Sequence, residues 1–409
     1  MPDIEDTVPT IDESPPPPPE LPLEWAYSEN SQPQDKGSAD CVIEDKGLRF
    51  RCTSGPPFDV RYADVEAVED AGVNIALMMR GGGRMELSKL ARNRDMFRAA
   101  LLEKWTHVNR RQALSEEKLL GSFEGRAGRG ADTAKPAGIG IYETAVVLDF
   151  GSGEVARIPL IFSGRPMENN YTFTFSPPGE RWSVGFMGRD TDLFRRTLEQ
   201  AISALEARAQ DRIRALCPGM PPFKLRALVS QFLDGLAVPV RTAQEASPAL
   251  ADAMGAELKA AGLHESWAAC LELGTAEAAR IGQKEALRSS EGAYRWFFVP
   301  VVRGGKAAVV MEASAEGSSG RATYVFRVPG GPDAVETAMD GLNYGLVMIN
   351  FRREPIYMGE AQMKKPGNEH YLRSVERVPA LAELRRNFMG RVSHSEAWKA
   401  KLQDILNTL

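Results

Sequence analysis

GGRMELSKLARNRDMFRAAL at residues 82–101 and GERWSVGFMGRDTDLFRRTL at residues 179–198 are the two stretches that decide the organisation of this chain. They align without a gap when the 409-residue sequence is shifted by 97 positions, and seven of the twenty aligned residues are identical. In both stretches a strand-like segment leads into a segment whose apolar residues recur every three or four positions, which is typical of an amphipathic helix. Self-similarity at a fixed spacing indicates a duplicated unit, so we expect two copies of one domain that ends in a helix.

The residues before each stretch alternate between apolar and polar side chains and are interrupted by glycine turns, a pattern that predicts strands. In the first copy, Asp45-Lys46-Gly47 is a hairpin turn, because Gly47 tolerates a positive φ. In the second copy we expect strands at residues 145–150, 155–162, 171–175 and 181–186. The predicted domains are residues 39–114 and 137–215, joined by a glycine-rich basic linker at residues 115–136.

The order of short strands followed by one closing helix resembles the bacterial pleckstrin-homology-like (PH-like) domains. The first copy shares with them Gly47-Leu48-Arg49-Phe50-Arg51, the step Tyr62-Ala63-Asp64-Val65, a Gly-rich hairpin at residues 81–83 and the closing-helix pattern Asp-x-Phe-x-x-x-Leu at residues 95–101. The second copy lacks the Tyr-x-Asp-Val step. These motifs serve folding, and a fold does not by itself define a function.

The resemblance implies that an anion site, if present, lies near the early strands, where Lys46, Arg49 and Arg51 are found. Arg49 and Arg51 alternate with Leu48 and Phe50, so the two arginines share one face of the sheet. Guanidinium groups suit phosphate, which makes a lipid headgroup or a phosphorylated ligand the functional interpretation. The alternative is that these side chains form the solvated outer face of a half-exposed strand.

The remainder of the chain has a different pattern. Residues 216–290 are expected to be a helical connector interrupted by prolines, and residues 291–409 a C-terminal α+β domain. In that last domain we predict strands at residues 294–302, 307–313, 322–328 and 345–351, and helices at residues 379–390 and 393–409. The predicted fold class is thus α+β throughout.

The first 40 residues hold ten acidic side chains and one basic one, a net charge of -9, whereas the whole chain carries -5 and the rest therefore carries +4. A proline-rich acidic segment buries too little to offset its ordering entropy, so residues 1–38 are expected to be a disordered tail. Within it, four apolar side chains form a candidate docking motif for a partner: Leu21, Leu23, Trp25 and Tyr27. The alternative is a spacer that packs Trp25 on its own domain.

Catalytic and metal-binding motifs are missing from the sequence. Gly304-Gly305-Lys306 lacks the spacing of a phosphate-binding loop, and Gly317-Ser318-Ser319-Gly320 lacks the order of a nucleophile elbow. The four cysteines and four histidines form no recognisable zinc spacing. We therefore expect no catalytic residues, no metal and no cofactor. An enzyme with a site in the C-terminal half, using His264, Cys270 or His370, is kept as an alternative.

These features predict a non-catalytic, cytoplasmic interaction or scaffold protein that binds a protein partner through its PH-like domains and its N-terminal motif. No apolar run reaches the length of a membrane span, and the N-terminus lacks the pattern of a signal peptide. A peripheral binder of an anionic membrane surface or of a phosphorylated ligand is the second hypothesis. Nucleic acid is not expected as a partner, because the aromatic residues are not interleaved with the basic clusters.

Overall fold

The computed structural model describes residues 20–79, 82–112, 117–151, 154–285, 293–315, 321–365 and 368–409. The chain divides into two compact units, Met1–Val108 and Asn109–Leu409. The described residues contain three antiparallel sheets together with helices, which confirms the predicted α+β class.

The first unit is a sheet followed by a helix. Its elements are β1 (Leu21–Glu29), β2 (Gln32–Ile43), β3 (Gly47–Cys52), β4 (Phe58–Arg61), β5 (Val65–Ala71), β6 (Asn74–Met79), β7 (Gly83–Ser88) and α1 (Arg94–Gln112). Across the sheet the strands follow the order β4-β3-β2-β1-β7-β6-β5. Helix α1 buries Phe97, Leu101 and Trp105 in the core of this unit, at the spacing of four that the sequence predicts.

The prediction that residues 1–38 form a disordered tail is wrong for residues 20–38, because β1 and residues 32–38 of the 12-residue strand β2 lie there. In β1 every second residue faces the core, and Leu23 and Trp25 are buried. Trp25 pairs across the strands with Gly37, where an added Cβ would lie 3.2 Å from the indole ring. The period of two in Leu21-x-Leu23-x-Trp25-x-Tyr27 was thus a strand signal among prolines and acids. The proline run at residues 15–19 lies outside the described residues.

A second sheet and helix repeat this arrangement at the start of the second unit. The elements are β8 (Leu119–Arg129), β9 (Lys135–Tyr142), β10 (Ala145–Asp149), β11 (Val155–Pro159), α2 (Leu160–Ser163), β12 (Met167–Asn169), β13 (Thr172–Phe175), β14 (Trp182–Gly185) and α3 (Thr191–Leu216). The strand order is β11-β10-β9-β8-β14-β13-β12, the same as in the first sheet. Helices α1 and α3 begin 97 residues apart, at Arg94 and Thr191, as the shifted alignment predicts.

The predicted linker at residues 115–136 is wrong where it overlaps β8 and the start of β9. Its glycines permit close packing in the sheet and do not loosen the chain. A Cβ added to Gly125 would lie 2.7 Å from the carbonyl oxygen of Gly185 and 2.8 Å from Cδ1 of Ile139. Glycine within a strand can therefore mark a close approach of backbone. The glycine-rich composition of this segment, taken alone, favoured a linker instead.

The rest of the second unit combines helices with a third sheet. Its elements are α4 (Pro222–Leu228), β15 (Ala237–Pro239), α5 (Val240–Ala246), α6 (Pro248–Ala260), α7 (His264–Leu273), β16 (Arg280–Lys284), β17 (Tyr294–Arg303), β18 (Lys306–Ala315), β19 (Ala322–Arg327), α8 (Val335–Met348), α9 (Glu354–Tyr357), α10 (Glu360–Met363), α11 (Glu369–Arg377), α12 (Pro379–Asn387), β20 (Phe388–Ser393) and α13 (Trp398–Leu406). The sheet has the order β15-β16-β17-β18-β19-β20.

Two predictions for this region need correction. The expected connector at residues 216–290 is largely helical, but it also supplies β15 and β16 to the third sheet. The expected strand at residues 345–351 is wrong, because α8 extends to Met348. Gly345 lets α8 approach α12, since an added Cβ would lie 2.8 Å from Cγ of Leu384. A short apolar run in a fully buried helix cannot be told from a strand by periodicity alone.

The hydrophobic cores show how the sheets are supported. The first sheet has a core of its own, built from residues between Leu23 and Trp105. The core of the second sheet continues into the third sheet, so that Phe123, Phe173 and Phe194 belong to one cluster with Trp296 and Leu384. A further cluster packs the end of α3 and the helices α4–α7 against the other side of the third sheet.

Candidate interaction surface

The predicted basic site on the first sheet is neutralised by carboxylates. The Nη1 atom of Arg49 lies 2.9 Å from Oε1 of Glu44, and its Nε donates to Oδ1 of Asp59 at 3.1 Å. The hydrogen bond with Asp59 is the main cause of the raised pKa of Arg49. Arg51 pairs with Glu20, whereas Lys46 is exposed. The two arginines lie on one face of β3, and their carboxylate partners do not leave them free for an anion.

The predicted docking motif is part of the first sheet. Leu23 and Trp25 are 3% and 9% exposed, and the Trp25 ring meets Phe58 edge-on at 5.0 Å between centroids. Leu21 and Tyr27 are partly exposed, and the Tyr27 hydroxyl donates to Oε1 of Glu29 at 2.7 Å. Buried side chains cannot anchor a partner, so Leu23 and Trp25 are not available for docking, and the alternative, in which Trp25 packs on its own domain, describes the structure.

The three residues of the enzyme hypothesis do not form a common site in the described structure. His264 is exposed at the start of α7, and His370 lies against Tyr371 with 4.0 Å between ring centroids. Cys270 is fully buried, and this burial raises the pKa of its thiol well above the usual range. A thiol that stays protonated is a poor nucleophile.

A buried carboxylate that the sequence did not single out lies near Cys270. Glu312 is fully buried and accepts hydrogen bonds from the hydroxyls of Ser266 at 3.0 Å and Thr323 at 2.7 Å. Nε2 of His394 lies 2.8 Å from Oε1 of Glu312, although its N–H direction is not aligned for a hydrogen bond. The hydroxyls satisfy the carboxylate internally, which is typical of a structural polar cluster in a core.

Exposed aromatic side chains mark a different surface, at one end of the second sheet. Tyr171 precedes β13 and Phe186 follows β14, directly beyond the paired residues Thr172 and Gly185. Their side chains are 68% and 72% exposed. Both line one cleft of about 390 Å³, formed by Asn170, Tyr171, Thr172, Phe186, Gly188 and Thr191. We call this feature the aromatic cleft.

The backbone at the aromatic cleft is strained. Tyr171 has a φ of 59° and Phe186 a φ of 60°, in the left-handed region that favours glycine. A bulky side chain in this region costs about 1–2 kcal/mol. Because both rings face solvent, burial in this chain does not offset that cost. Strained residues of this kind cluster at functional sites, so the observation points to a role for the rings outside the fold.

The equivalent end of the first sheet carries different side chains. Ninety-seven residues before Phe186 lies Lys89, whose φ is 61°. Lys89 is exposed and its Nζ atom lies 2.5 Å from Oε1 of Glu24. Val73 corresponds to Tyr171, because each directly precedes the residue that closes its hairpin: Asn74 pairs with Ala71, and Thr172 pairs with Asn169. Val73 is 81% exposed. The fold therefore accepts side chains without an aromatic ring at both positions, and the rings belong to the second copy alone.

The charges around the aromatic cleft are balanced. Arg195 on α3 donates to both carboxylate oxygens of Glu168, at 2.6 and 2.8 Å, and also pairs with Asp192. The hydrogen bond from Arg195 lowers the pKa of Glu168. Leu193 is 51% exposed on α3, but its counterpart Met96 is 57% exposed, so this apolar residue does not distinguish the copies.

Neither a membrane-spanning helix nor a metal site is found among the described residues. No helix in this part of the chain is long and apolar enough to cross a membrane. Within the same residues, no group of three His, Cys, Asp or Glu side chains is arranged to hold a metal ion. In comparisons with known proteins, no protein-family model matches the chain and no curated protein matches its sequence.

Proposed function

We propose that this chain is a non-catalytic interaction protein with two PH-like domains, and that the second domain binds a protein partner through the aromatic cleft. The seven antiparallel strands in a common order, each set followed by one helix, support the PH-like assignment. The observation that carries the function is the pair of exposed, strained rings of Tyr171 and Phe186, in place of which the first copy has Val73 and Lys89.

A protein is the best-fitting partner because of the chemistry of the surface. Exposed aromatic side chains are the usual anchors of protein interfaces, where they fill pockets on the partner. An anionic membrane would require an excess of cations, but Arg195 is already bound to Glu168 and Asp192. The N-terminal motif has no part in the proposal, since Leu23 and Trp25 are buried. The expected cytoplasmic location stays a prediction.

Site-specific photo-crosslinking in the native cell tests this proposal. A photoreactive phenylalanine analogue at Phe186 is compared with the same analogue at Phe223, a matched control that is 71% exposed on α4. We expect position 186 to form an adduct with one protein species and position 223 to form none. The adduct should disappear when Tyr171→Asn is added, because that variant removes the second ring and places a residue there that tolerates the left-handed backbone.

A second arm separates loss of binding from loss of folding. Phe186→Lys copies Lys89 of the first copy, and Tyr171→Asn introduces a residue that tolerates the left-handed backbone. Together they should leave the melting temperature unchanged and abolish capture of the cross-linked species by the purified chain. Adducts that are identical at positions 186 and 223 would contradict the proposal. So would adducts at position 186 that contain only lipid or only a second copy of this chain.

A further inference from the structure

A group of arginines lines a separate cleft in the second unit. Arg208 and Arg212 lie one turn apart on α3 and so share a face of that helix. Together with Glu257 on α6 and Gln283 on β16, they line a cleft of about 320 Å³. Arg295 on β17 approaches the same glutamate. We call this feature the arginine cleft.

Glu257 is shared between two of the arginines. Its Oε2 lies 3.2 Å from Nη2 of Arg212, and its Oε1 lies 3.1 Å from Nη2 of Arg295. The side chains of Arg212, Arg295 and Glu257 are only 11%, 18% and 18% exposed. One carboxylate therefore balances two largely buried guanidinium groups, and Arg208 adds a third cation beside them.

Several polar atoms at this cleft are buried without a hydrogen-bond partner among the described residues. They are Nε and Nη2 of Arg208, Nε and Nη1 of Arg212, Nε of Arg295 and Oε1 of Gln283. Buried N–H groups are nearly always paired in folded proteins, because an unmade hydrogen bond costs about 1–3 kcal/mol. Five such donors and one acceptor around one cleft form an incomplete network.

The neighbouring buried charges do not supply the missing anion. Nζ of Lys284 lies 3.9 Å from Oδ2 of Asp234, and Arg157 pairs with Glu117. The buried and half-buried ionic groups that interact through this region are the cations Arg157, Arg208, Arg212, Lys284 and Arg295 and the carboxylates Glu117, Asp234 and Glu257, and the exposed Glu285 also interacts with Asp234. Among the described residues, five cations thus face three carboxylates, an excess of two positive charges.

Two further carboxylates lie at the rim of the cleft. Asp211 is 75% exposed and pairs with Arg214 at 3.1 Å, and Glu285 is exposed. Water screens such groups, so they contribute little to balancing the interior. Burial lowers the pKa of Arg212, and the attraction of Glu257 offsets this only in part. The interior therefore holds cations whose charge is not fully compensated.

We infer that the arginine cleft binds the phosphate group of a small hydroxylated phosphate monoester. A phosphate monoester carries up to two negative charges, which matches the excess, and its oxygens accept from several guanidinium donors at once. The cleft is larger than phosphate alone needs, and Oε1 of Gln283 is an acceptor suited to a ligand hydroxyl. This site lies apart from the aromatic cleft, and the inference does not depend on the proposed function.

The direct test is titration calorimetry of the full-length chain with glycerol 3-phosphate, inorganic phosphate and glycerol. We expect glycerol 3-phosphate to bind most tightly, phosphate more weakly and glycerol not at all. Arg208→Gln should weaken binding by about 10- to 100-fold, since it removes a charged donor. Arg214→Gln is the matched control on the same helix, because Arg214 is 59% exposed and should leave affinity unchanged.

Stability measurements show whether Arg208 has a structural role instead. Without ligand, Arg208→Gln should melt at or above the wild-type temperature, because it removes a cation whose Nε and Nη2 make no hydrogen bond among the described residues. Glycerol 3-phosphate should raise the melting temperature of wild type and Arg214→Gln but not of Arg208→Gln. Arg208→Lys keeps the charge but loses the bidentate donors of the guanidinium group, so it is expected to bind glycerol 3-phosphate with intermediate affinity.

Three results would overturn the inference. The first is the absence of binding heat and of any thermal shift in wild type beyond that of chloride at matched ionic strength. The second is equal weakening of binding in Arg208→Gln and Arg214→Gln. The third is a large loss of stability in ligand-free Arg208→Gln with unchanged phosphate affinity in Arg208→Lys, which would assign the cluster to structure alone.

Discussion

The first and second sheets have the same strand order, and their helices begin 97 residues apart, but their surroundings differ. The buried core of the first sheet consists of residues between Leu23 and Trp105, which include the buried face of α1. The core of the second sheet continues into the third. Helix α3, with 26 residues, is also longer than α1, with 19, and its last turns reach the arginine cleft.

The two copies share the strand order of their sheets but differ in the side chains that they expose or bury. Both copies hold a residue at φ of about 60° after the last strand, but one places Lys89 there and the other Phe186. The ion pairs differ as well. Arg49 and Asp59 are 45% and 57% exposed in the first copy, whereas Arg157 and Glu117 of the second are 2% and 0% exposed.

The largest expected effect concerns the two cores. Phe97 and Phe194 occupy equivalent positions and are 1% and 0% exposed. Replacing either with alanine should cost about 3–5 kcal/mol of unfolding free energy, because a large cavity is left in a packed core. Urea melts measure this loss, and hydrogen exchange shows how far it spreads.

The spread should differ between the copies. For Phe97→Ala we expect faster exchange within residues 20–108, where its cluster lies. For Phe194→Ala we expect faster exchange in β17 and β18 as well, because Trp296 and Val309 share its cluster. Phe223→Ala, at an exposed site, is the control. Unchanged hydrogen exchange in β17 and β18 of Phe194→Ala would contradict a shared core of the second and third sheets.

The buried ion pair of the second copy should be the next most sensitive feature. Glu117 pairs with Arg157 and accepts from the Thr144 hydroxyl, while Nη1 of Arg157 donates to the carbonyl of Val347 at 2.8 Å. Glu117→Gln leaves a buried guanidinium without its counter-ion, at an expected cost of about 3–5 kcal/mol. Asp59→Asn in the first copy should cause no measurable change in the urea midpoint, because that pair is exposed.

The pH dependence of this difference follows from the pKa of Glu117. Burial alone would raise this pKa, but the attraction of Arg157 and the hydrogen bond from Thr144 outweigh it and lower the pKa in the folded state. The stabilisation that ionised Glu117 contributes is therefore complete above the unfolded-state pKa of about 4.3. It is lost as the pH falls through the lower folded-state pKa. The difference in stability between wild type and Glu117→Gln should shrink as the pH falls below the unfolded-state pKa of about 4.3, and it should vanish below the folded-state pKa. Parallel profiles of unfolding free energy against pH would contradict this prediction.

The smallest expected effect compares the strained positions. Phe186→Gly and Lys89→Gly should each stabilise the chain by about 0.5 kcal/mol, because relief of the left-handed backbone exceeds the entropy that glycine adds to the unfolded chain. Thermal melts measure this gain. When the photoreactive analogue is placed at Tyr171, Phe186→Gly should also abolish the cross-linked adduct, whereas Lys89→Gly should not. A clear loss of stability in Phe186→Gly would mean that the ring packs on its own fold.

Much of the local structure could be read from the sequence, because it depends on near neighbours. The seven identities at a shift of 97 predicted the duplication, and the spacing of Phe97 and Leu101 predicted the closing helix. The strands of the C-terminal meander were also confirmed, at Tyr294–Arg303, Lys306–Ala315 and Ala322–Arg327. In each case the period of the side chains reports one buried face.

The errors arose where local composition and long-range pairing disagree. Strand β1 was missed because prolines and acids surround Leu23 and Trp25, although these residues alternate as a strand requires. The candidate cations Arg49 and Arg51 looked free because their partners Asp59 and Glu20 are distant in sequence. The sequence did not indicate a functional role for Phe186, since the exposure and the φ of this residue are properties of the folded chain.

The sequence by itself determined the duplication, the α+β class and the amphipathic faces of α1 and α3, because these follow from the order and period of residues along the chain. Only the tertiary structure decided which side chains are buried, paired or exposed. It gathered Arg208, Glu257 and Arg295 from three distant segments into one cleft. Electrostatics and burial act through space, so the charge that matters at a site depends on the groups the fold brings within a few ångströms.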